Sequence, residues 1–360
     1  MKTNVDYKNS DLNSVLTESF GEKINLARIK LMAYFIISLC KVQTVNFKKL
    51  AIAFDSLAQA DSSLRRIQRF IANYSLNSDL IAHFIFHLLP EKENLRLTID
   101  RTNWKYGKIN INIFMLGIVY QGLAFPLLFS MLDKRGNSNS QERIQLIKRF
   151  ITLFTKDCIA CIIADREFIG KDWIAYLNTQ EIPYYIRIRK NFKVFLIQKQ
   201  KYVKAFWLFN TYQINQFVIY PKLVSINGQI SYLSGVKLSK GEYLILISFN
   251  KVEKSEEVYK QRWQIETCFK AIKTSGFNMQ DTHLQDRDRI EKLLLLIMIA
   301  FVWAYKIGIF LHQNVKAIKI KKHGRKTISL FKYGLEYISQ VLLNTQKIDK
   351  INIVTFLSCT

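Results

Sequence analysis

The chain has 360 residues, of which 53 are lysine or arginine and 28 are aspartate or glutamate, giving a formal net charge of +25. Hydrophobic residues make up 49% of it, enough for a sizeable core, and 13 glycines with 4 prolines exclude long disordered or collagen-like stretches. A folded protein with this charge requires an anionic partner, either nucleic acid or an acidic membrane surface, which argues against an ordinary metabolic enzyme.

Residues 1–90 are predicted to form a helical region that binds DNA. A first helical segment is followed by a second that begins near FKKLAIAF, and then by a basic helix over ADSSLRRIQRFIANYSL that Ser62 or Ser63 can cap. Three arginines lie on its basic face: Arg65, Arg66 and Arg69. Short basic helices suit a DNA-binding module, for example of the helix-turn-helix type. An ordinary solvated basic helix explains the same residues equally well.

The pattern changes at Leu95 from helices to strands. Three strand-like runs separated by turn signals at Gly107 and Gly122 come first, and strands then alternate with helices. Hairpins followed by such alternation indicate an α/β fold in which helices cover a mixed sheet.

The second half of the chain combines a β-rich insertion with further helices. Aromatic and β-branched runs with several lysines place the insertion at about residues 191–250, and helical periodicity returns over 255–274 and 287–312. The sequence therefore predicts three regions: residues 1–90, 91–312 and 313–360, the last a basic tail.

Two apolar features are interpreted as core. The five cysteines are an odd number scattered through apolar segments, so no disulfide framework is expected, and Cys158 and Cys161 are predicted to be buried. The apolar run Leu293–Tyr305 has 13 residues. A membrane span needs about 20, so a buried helix is predicted there. The first twenty residues lack a signal-peptide stretch, so a cytoplasmic location is expected.

Two aspartates follow apolar strands. Asp100 comes after LTI and Asp165 after IIA. Residues at strand ends project from a rigid sheet into the adjacent crevice, so neighbouring strands would bring both carboxylates to one spot. Such a pair would need a cation, and Mg²⁺ binds through carboxylate oxygens. Aspartate is also a common turn residue, which explains either position alone.

A third group of polar residues follows helical spacing. Tyr259, Arg262, Glu266 and Lys273 are separated by 3, 4 and 7 residues. On a regular helix these steps place all four side chains on one stripe. A surface helix with i,i+4 ion pairs would explain Arg262 and Glu266. It does not explain why Tyr259 and Lys273 lie on the same stripe.

The spacing Y-x2-R-x3-E-x6-K resembles the signature of bacterial insertion-sequence transposases of the YREK class, the insertion-sequence type four family. The segments IDRTNWKYG and ADREFIGKDW resemble the surroundings of the first and second catalytic aspartates of that family. The resemblance covers about residues 95–306, including the β-rich insertion.

The resemblance implies a ribonuclease-H-like catalytic core with Asp100, Asp165 and Glu266 as catalytic residues and metal ligands. Two Mg²⁺ ions are implied, with Mn²⁺ as a substitute, and the reaction would be DNA cleavage at the element ends followed by strand transfer into target DNA. The N-terminal helices would bind the terminal inverted repeats. The working form would be a homodimer joining two ends, in the bacterial cytoplasm and on the nucleoid when DNA-bound, without a membrane partner.

The other signature residues fit DNA binding. Arg262 and Lys273 suit phosphate, and Tyr259 can hydrogen-bond a phosphate oxygen. Trp263 matches an aromatic residue that members of the class use near a flipped base. A core position for Trp263, on the buried side of the helix, is an equally good interpretation.

Three rival functions remain open from the sequence. A DNA-binding regulator derived from a transposase would keep the fold without catalysis. A Mg²⁺-dependent nuclease would cleave DNA without joining it to a target. A membrane-surface protein would use the basic patches and the apolar run to bind anionic lipid.

Overall fold

The computed structural model describes residues 4–250, 255–322, 324–344 and 351–358, with side-chain burial from residue 11 onward. The chain divides into two compact units, each assembled from segments that are distant in sequence. The first unit consists of Met1–Pro90, Trp104–Ile111 and Phe269–Thr360. The second unit consists of Glu91–Asn103 and Asn112–Cys268.

One large mixed sheet dominates the β structure. Its strands, in chain order, are β1 (Leu95–Tyr106), β2 (Ile109–Tyr120), β3 (Leu123–Met131), β4 (Ile159–Ala164), β5 (Tyr184–Ile188), β6 (Lys193–Leu196), β7 (Lys201–Lys204), β8 (Phe217–Ile219), β9 (Val224–Ile226), β10 (Gln229–Lys237) and β11 (Tyr243–Ser248). Four helices accompany them: α6 (Ser140–Phe154), α7 (Lys171–Thr179), α8 (Ser255–Lys260) and α9 (Trp263–Lys270).

The strand order is β3-β2-β1-β4-β5-β11-β10-β9-β6-β7, with β8 paired to β10. β1 to β3 follow one another as hairpins, whereas β4 runs parallel to β1 and β5 runs parallel to β4. Parallel neighbours need crossover connections, and helices α6 and α7 supply them. Antiparallel strands first and parallel strands next, with crossover helices, form the ribonuclease-H-like core that the resemblance implied.

Two sheet features differ from the sequence expectation. β1 does not end at Asp100 but continues to Tyr106, where a turn with Gly107 at φ 56° leads into β2. The β-rich insertion is present, and it extends the same sheet, because its last strand β11 pairs antiparallel with β5. The buried strands carry long apolar runs because helices or loops cover them.

The first unit is helical. Its helices, described by residue range, are α1 (Asn4–Phe20), α2 (Leu26–Val42), α3 (Phe47–Ile52), α4 (Ala60–Asn73), α5 (Ser78–His87), α10 (Arg287–Phe310) and α11 (Leu330–Leu343). The cap of α4 differs from the prediction: its N-cap is Gln59, and Ser63 is buried inside the helix. Helix α10 packs against α2, α5 and α11, so it forms the core of this unit.

Helices α10 and α11 touch through two glycines. A Cβ atom on Gly308 would lie 1.8 Å from the Leu330 carbonyl oxygen, and one on Gly334 would lie 1.8 Å from the Ala304 carbonyl oxygen. Real atoms cannot approach this closely, so only glycine permits the crossing. The predicted C-terminal tail therefore contains a helix that packs tightly against α10.

The apolar run Leu293–Tyr305 is buried, as predicted. The helix that contains it is longer than the run, because helical structure extends over Arg287–Asn314. By length and composition alone this one helix of the described chain could cross a membrane, and 89% of its most apolar window is buried inside the protein. The two cysteines Cys158 and Cys161 are also buried, as predicted.

Candidate active site

Asp100 and Asp165 lie side by side because β1 and β4 are adjacent parallel strands. The last paired residues are Ile99 and Ala164, so each aspartate is the next residue at the same end of the pairing. Neighbouring strands are about 4.8 Å apart. Each carboxylate accepts a hydrogen bond of 2.7 Å from the backbone N–H of the residue that follows it. The sheet thus fixes both carboxylates at one edge, as the sequence predicted.

Arg262 connects Asp100 with Glu266. Its Nη1 lies 3.3 Å from Asp100 Oδ2, and its Nη2 donates to Glu266 Oε1 at 2.6 Å. The arginine is only 5% exposed, and Asp100 is largely buried as well, whereas the Glu266 side chain is 38% exposed. Two like charges repel at this range unless a cation lies between them. The guanidinium supplies that cation and brings the carboxylate of α9 to the carboxylate of β1.

Tyr259 contacts the second aspartate. Its hydroxyl donates to Asp165 Oδ1 at 3.3 Å. The ring is buried against one face of the sheet, on a cluster formed by Cys161, Ile163, Tyr185 and Leu246. Burial, with the nearby Asp165 charge, raises the pKa of the Tyr259 phenol above its usual value, so the hydroxyl stays a donor. Packing therefore fixes the position from which Tyr259 reaches Asp165.

The helix that carries these residues is not the single regular helix predicted over residues 255–274. It is divided into α8 and α9 at Gln261 and Arg262, where the backbone N–H groups bond to carbonyls three residues back. It then ends in a π-helical turn, Ala271–Ser275. The i,i+3 bonds wind this part of the helix more tightly than an α-helix. Tyr259, Arg262 and Glu266 therefore still lie near one another, but they do not form one straight stripe along the helix.

The surroundings of Asp100 change the pKa of its carboxyl group. Burial is the largest cause that raises the pKa of Asp100, to about 7, and the charges of Glu167 and Glu266 raise it further. The Arg101 backbone N–H and the Arg262 charge act in the opposite direction. The raised pKa means that these surroundings disfavour the ionised form of Asp100. A bound cation would favour that form.

Trp263 is exposed. The side chain has 62% of its surface accessible, so the alternative of a core tryptophan is wrong. The Arg262 Cζ atom lies 5.1 Å from the centroid of the indole ring. A cation at that distance over an indole is a favourable contact, so Arg262 links the carboxylates to an exposed aromatic surface.

Four other predicted DNA-binding residues belong to the first unit: Lys273, Arg65, Arg66 and Arg69. Lys273 lies in the π-helical turn with its Nζ 5.5 Å from the centroid of the Trp104 ring. Burial lowers the pKa of Lys273. The three arginines lie on α4, where Arg65 and Arg69 are exposed and Arg66 is half-buried.

Arg143 is a site residue that the sequence did not indicate. It is buried on α6, and its guanidinium donates to the Ser138 hydroxyl at 2.9 Å and to the Glu167 carbonyl at 3.0 Å. It also donates to the carbonyls of Ser138 and Ile169. These bonds hold the chain directly after Asp165. Arg143 could not be predicted from the sequence, because no local sequence pattern distinguishes an arginine that binds a loop more than 20 residues away.

The oxygen donors at this edge suit a hard divalent cation such as Mg²⁺. Among the described residues, however, no three His, Cys, Asp or Glu side chains are arranged as a metal-binding group. The physical reason is visible in the contacts: Arg262 lies between Asp100 and Glu266, while Tyr259 binds Asp165. The carboxylate oxygens suit a metal cation, which would take the place of the Arg262 guanidinium beside them.

A family model described as "Transposase DDE domain" matches residues 93–303, more than half of the chain. The chain belongs to this transposase family. The matched segment contains Asp100, Asp165 and Glu266 together with Tyr259 and Arg262 of the transposase. It also contains the whole β-rich extension of the sheet and most of helix α10.

The transposase is also similar to a solved structure titled "Cryo-EM structure of piggyBac transposase synaptic complex with hairpin DNA". The two chains are 11% identical with a TM-score of 0.47, over 94% of this chain and 77% of that one. Comparison with curated proteins yields no match. Membership of the family therefore rests on the match to residues 93–303.

Replacing Arg143 should loosen the segment after Asp165. Arg143→Ala leaves buried carbonyls without donors, so we expect the free energy of unfolding to fall by about 3 kcal/mol. Urea unfolding measures it. Gln145→Ala, an exposed position on the same helix, serves as the control and should change stability little. Equal midpoints for the two variants would contradict the role given to Arg143.

The raised pKa of Asp100 predicts a pH-dependent stability in EDTA. The pKa is about 7 in the folded protein. In an unfolded chain it is about 3.9. The folded state therefore binds more protons between these values, and stability decreases as pH rises through that window. The side chain in Asp100→Asn cannot titrate. The difference between its unfolding midpoint and that of the wild type should therefore increase from pH 5 to 7, in favour of the variant, and persist at pH 8. Parallel pH curves would contradict this shift.

Removing Arg262 should make stability depend on divalent cations. Without its guanidinium Asp100 and Glu266 are uncompensated, so Arg262→Ala should lower the free energy of unfolding by about 3 kcal/mol in EDTA. Added Mg²⁺ should raise its melting temperature more than that of the wild type, because the ion replaces the lost positive charge. The control is Lys260→Ala, which removes a 65% exposed cation two residues away. An equal Mg²⁺ effect in all three proteins would refute the competition between Arg262 and metal.

Proposed function

We propose that this transposase cleaves DNA at the ends of an insertion sequence and transfers the freed strand into target DNA. The proposal is supported by the family match and by the juxtaposition of Asp100, Asp165 and Glu266 at one edge of a ribonuclease-H-like sheet. The observation that carries it is the pair of aspartates at the same end of the β1–β4 pairing. Two acidic groups so placed serve phosphoryl chemistry better than structural stability.

The proposed reaction has two displacements at phosphorus. In the first, a water oxygen forms a bond to phosphorus, the bond to the 3′ oxygen breaks, and that oxygen takes up a proton to become a 3′-hydroxyl. In the second, the hydroxyl attacks a target phosphodiester, loses its proton, and a new target 3′-hydroxyl leaves. The number of phosphodiester bonds is conserved in the second step, so strand transfer needs no added energy source.

The three carboxylates would hold two Mg²⁺ ions, or Mn²⁺ in their place. Bound ions of this kind stabilise negative charge on the attacking and leaving oxygens. The residues of the chain itself have separate duties. Arg262, once released from Asp100 and Glu266, would bind a DNA phosphate in two-point geometry. Tyr259 holds the position of Asp165, and the exposed Trp263 ring offers a surface on which a base can stack.

We further propose that the protein belongs to the bacterial YREK class and works as a homodimer that holds two element ends. Tyr259, Arg262, Glu266 and Lys273 support the class assignment through their spacing. The charge of +25 supports duplex DNA as the partner, both at the terminal inverted repeats and at the target. We also propose that it acts in the bacterial cytoplasm, on the nucleoid when DNA-bound, without a membrane partner.

The test is a cleavage and joining assay with labelled DNA that carries the element's own end and a supercoiled target. Wild type in Mg²⁺ should give cleaved ends and joined products, and EDTA should abolish both. Asp165→Asn should lose activity by at least a thousandfold while keeping its fold, because the substitution is isosteric. Asp157→Asn, an exposed aspartate just before the opposite end of β4, is the matched control and should stay active.

Each other outcome identifies a rival. Cleavage without joined products would favour a nuclease. DNA binding without cleavage in Mg²⁺ or Mn²⁺ would favour a regulator derived from a transposase. Binding to anionic vesicles in preference to duplex DNA would favour a membrane-surface protein. Full activity of Asp165→Asn would overturn the assignment of the catalytic carboxylates.

A further inference from the structure

A cleft of about 580 Å³ opens between α2 and α4 in the first unit. Three arginines line it: Arg28 from the first turn of α2, and Arg66 and Arg69 from α4. Tyr74, directly after α4, completes the wall. Two arginines predicted from the basic face of α4 thus share a concave site with a third, distant in sequence, whereas Arg65 does not line it.

The guanidinium groups that line this cleft have no protein counter-ion within the part of the chain that the structure describes. Those of Arg28, Arg66 and Arg69 form no ion pair there and donate no hydrogen bond to another residue. None of the residues that line the cleft is acidic. Three cations at one cavity repel each other, so the arrangement favours an anionic ligand.

Aromatic rings, instead of carboxylates, hold two of these arginines. The Arg28 Cζ atom lies 5.2 Å from the centroid of the Tyr74 ring, which in turn stacks on Phe70. The Arg66 Cζ atom lies 6.0 Å from the centroid of the Tyr34 ring. The face of an aromatic ring orients a guanidinium group without accepting its hydrogen bonds. The N–H groups at the edge of the guanidinium therefore stay available to a ligand.

The end of helix α2 adds to the same field. Asn25 caps α2 by accepting a hydrogen bond from the Ala27 backbone N–H at 2.9 Å, and both residues line the cleft. The first turn of this 17-residue helix contains no acidic residue. The positive end of the helix dipole therefore acts on the cleft together with the three arginines.

We propose that this cleft binds the sugar–phosphate backbone of duplex DNA, with Arg28, Arg66 and Arg69 on its phosphates. The site deepens the proposed function, on which it rests, by naming the surface and the chemistry through which the helical region holds DNA. A guanidinium matches a phosphate with two parallel N–H donors, and a set of three spread around a cleft suits successive phosphates of one strand. The size of the cleft exceeds that of a single inorganic phosphate.

The experiment measures binding of labelled duplexes by fluorescence anisotropy over a range of salt concentrations. One duplex carries the element end, and another has the same length and a scrambled sequence. Arg28→Ala, Arg66→Ala and Arg69→Ala should each weaken binding to both duplexes about tenfold, the loss of one charged hydrogen bond. Each should also reduce the slope of log affinity against log salt by about 0.9.

Lys48→Ala is the control, since it removes an equal charge from an exposed position on the neighbouring helix α3, outside the cleft. It should change affinity less than twofold. Tyr74→Leu keeps every charge but removes the ring that orients Arg28, so it should weaken binding as Arg28→Ala does. Circular dichroism and melting temperature, measured on each variant, separate loss of fold from loss of the site.

Several outcomes would overturn the proposal. The cleft is not a DNA site if the three lining variants bind duplex as Lys48→Ala does. It is a site for small anions if pyrophosphate competes with DNA far more than sulfate of equal ionic strength. It is a lipid site if the variants lose binding to phosphatidylserine vesicles and keep binding to DNA. If the wild type cleaves DNA and the lining variants bind DNA normally, only the role of the cleft is refuted. If binding depends on the cleft but no cleavage occurs, only the proposed function is refuted.

Discussion

Repulsion between carboxylates at one edge of a sheet is the constraint around which the second unit is organised. The parallel pairing of β1 and β4 forces Asp100 and Asp165 together, and α9 adds Glu266. Arg262 offsets part of that repulsion, and because its guanidinium is buried its charge acts on both carboxylates with little screening by water. The protein supplies a cation of its own at this site, in the guanidinium of Arg262. Under the proposed function, a metal ion would take the place of that guanidinium beside the carboxylates.

Much of this site could be predicted from the sequence because its signals are local. An aspartate after an apolar strand and polar residues at helical spacing are visible in short windows. The break at Gln261 and Arg262 could not be predicted, since i,i+3 bonding there depends on how Tyr259 packs on the sheet. The continuation of β1 past Asp100 depends on its pairing with β2. The exposure of Trp263 depends on packing that periodicity does not record.

Arginine serves two different purposes in this chain, and its neighbours show which one applies. Arg143 and Arg262 are buried, and both donate hydrogen bonds to oxygen atoms of the protein, so their charge is used inside the protein. Arg28 and Arg66 lie against aromatic rings that restrain them without neutralising them. Their charge is therefore left for something outside the protein. A net charge of +25 says only that such arginines exist, whereas the contacts identify where they are.

The glycine contact between α10 and α11 has a consequence for how the chain can be shortened. The sequence between residues 313 and 360 looks dispensable because it begins with a run of lysines. Yet Gly334 of α11 lies directly on the backbone of α10, and α11 covers the apolar surface of that helix. Ending the chain at residue 312 would expose one of its most apolar helices to solvent. Self-association through this surface would then follow, and activity lost on such a deletion would reveal nothing about DNA contacts made by the lysines.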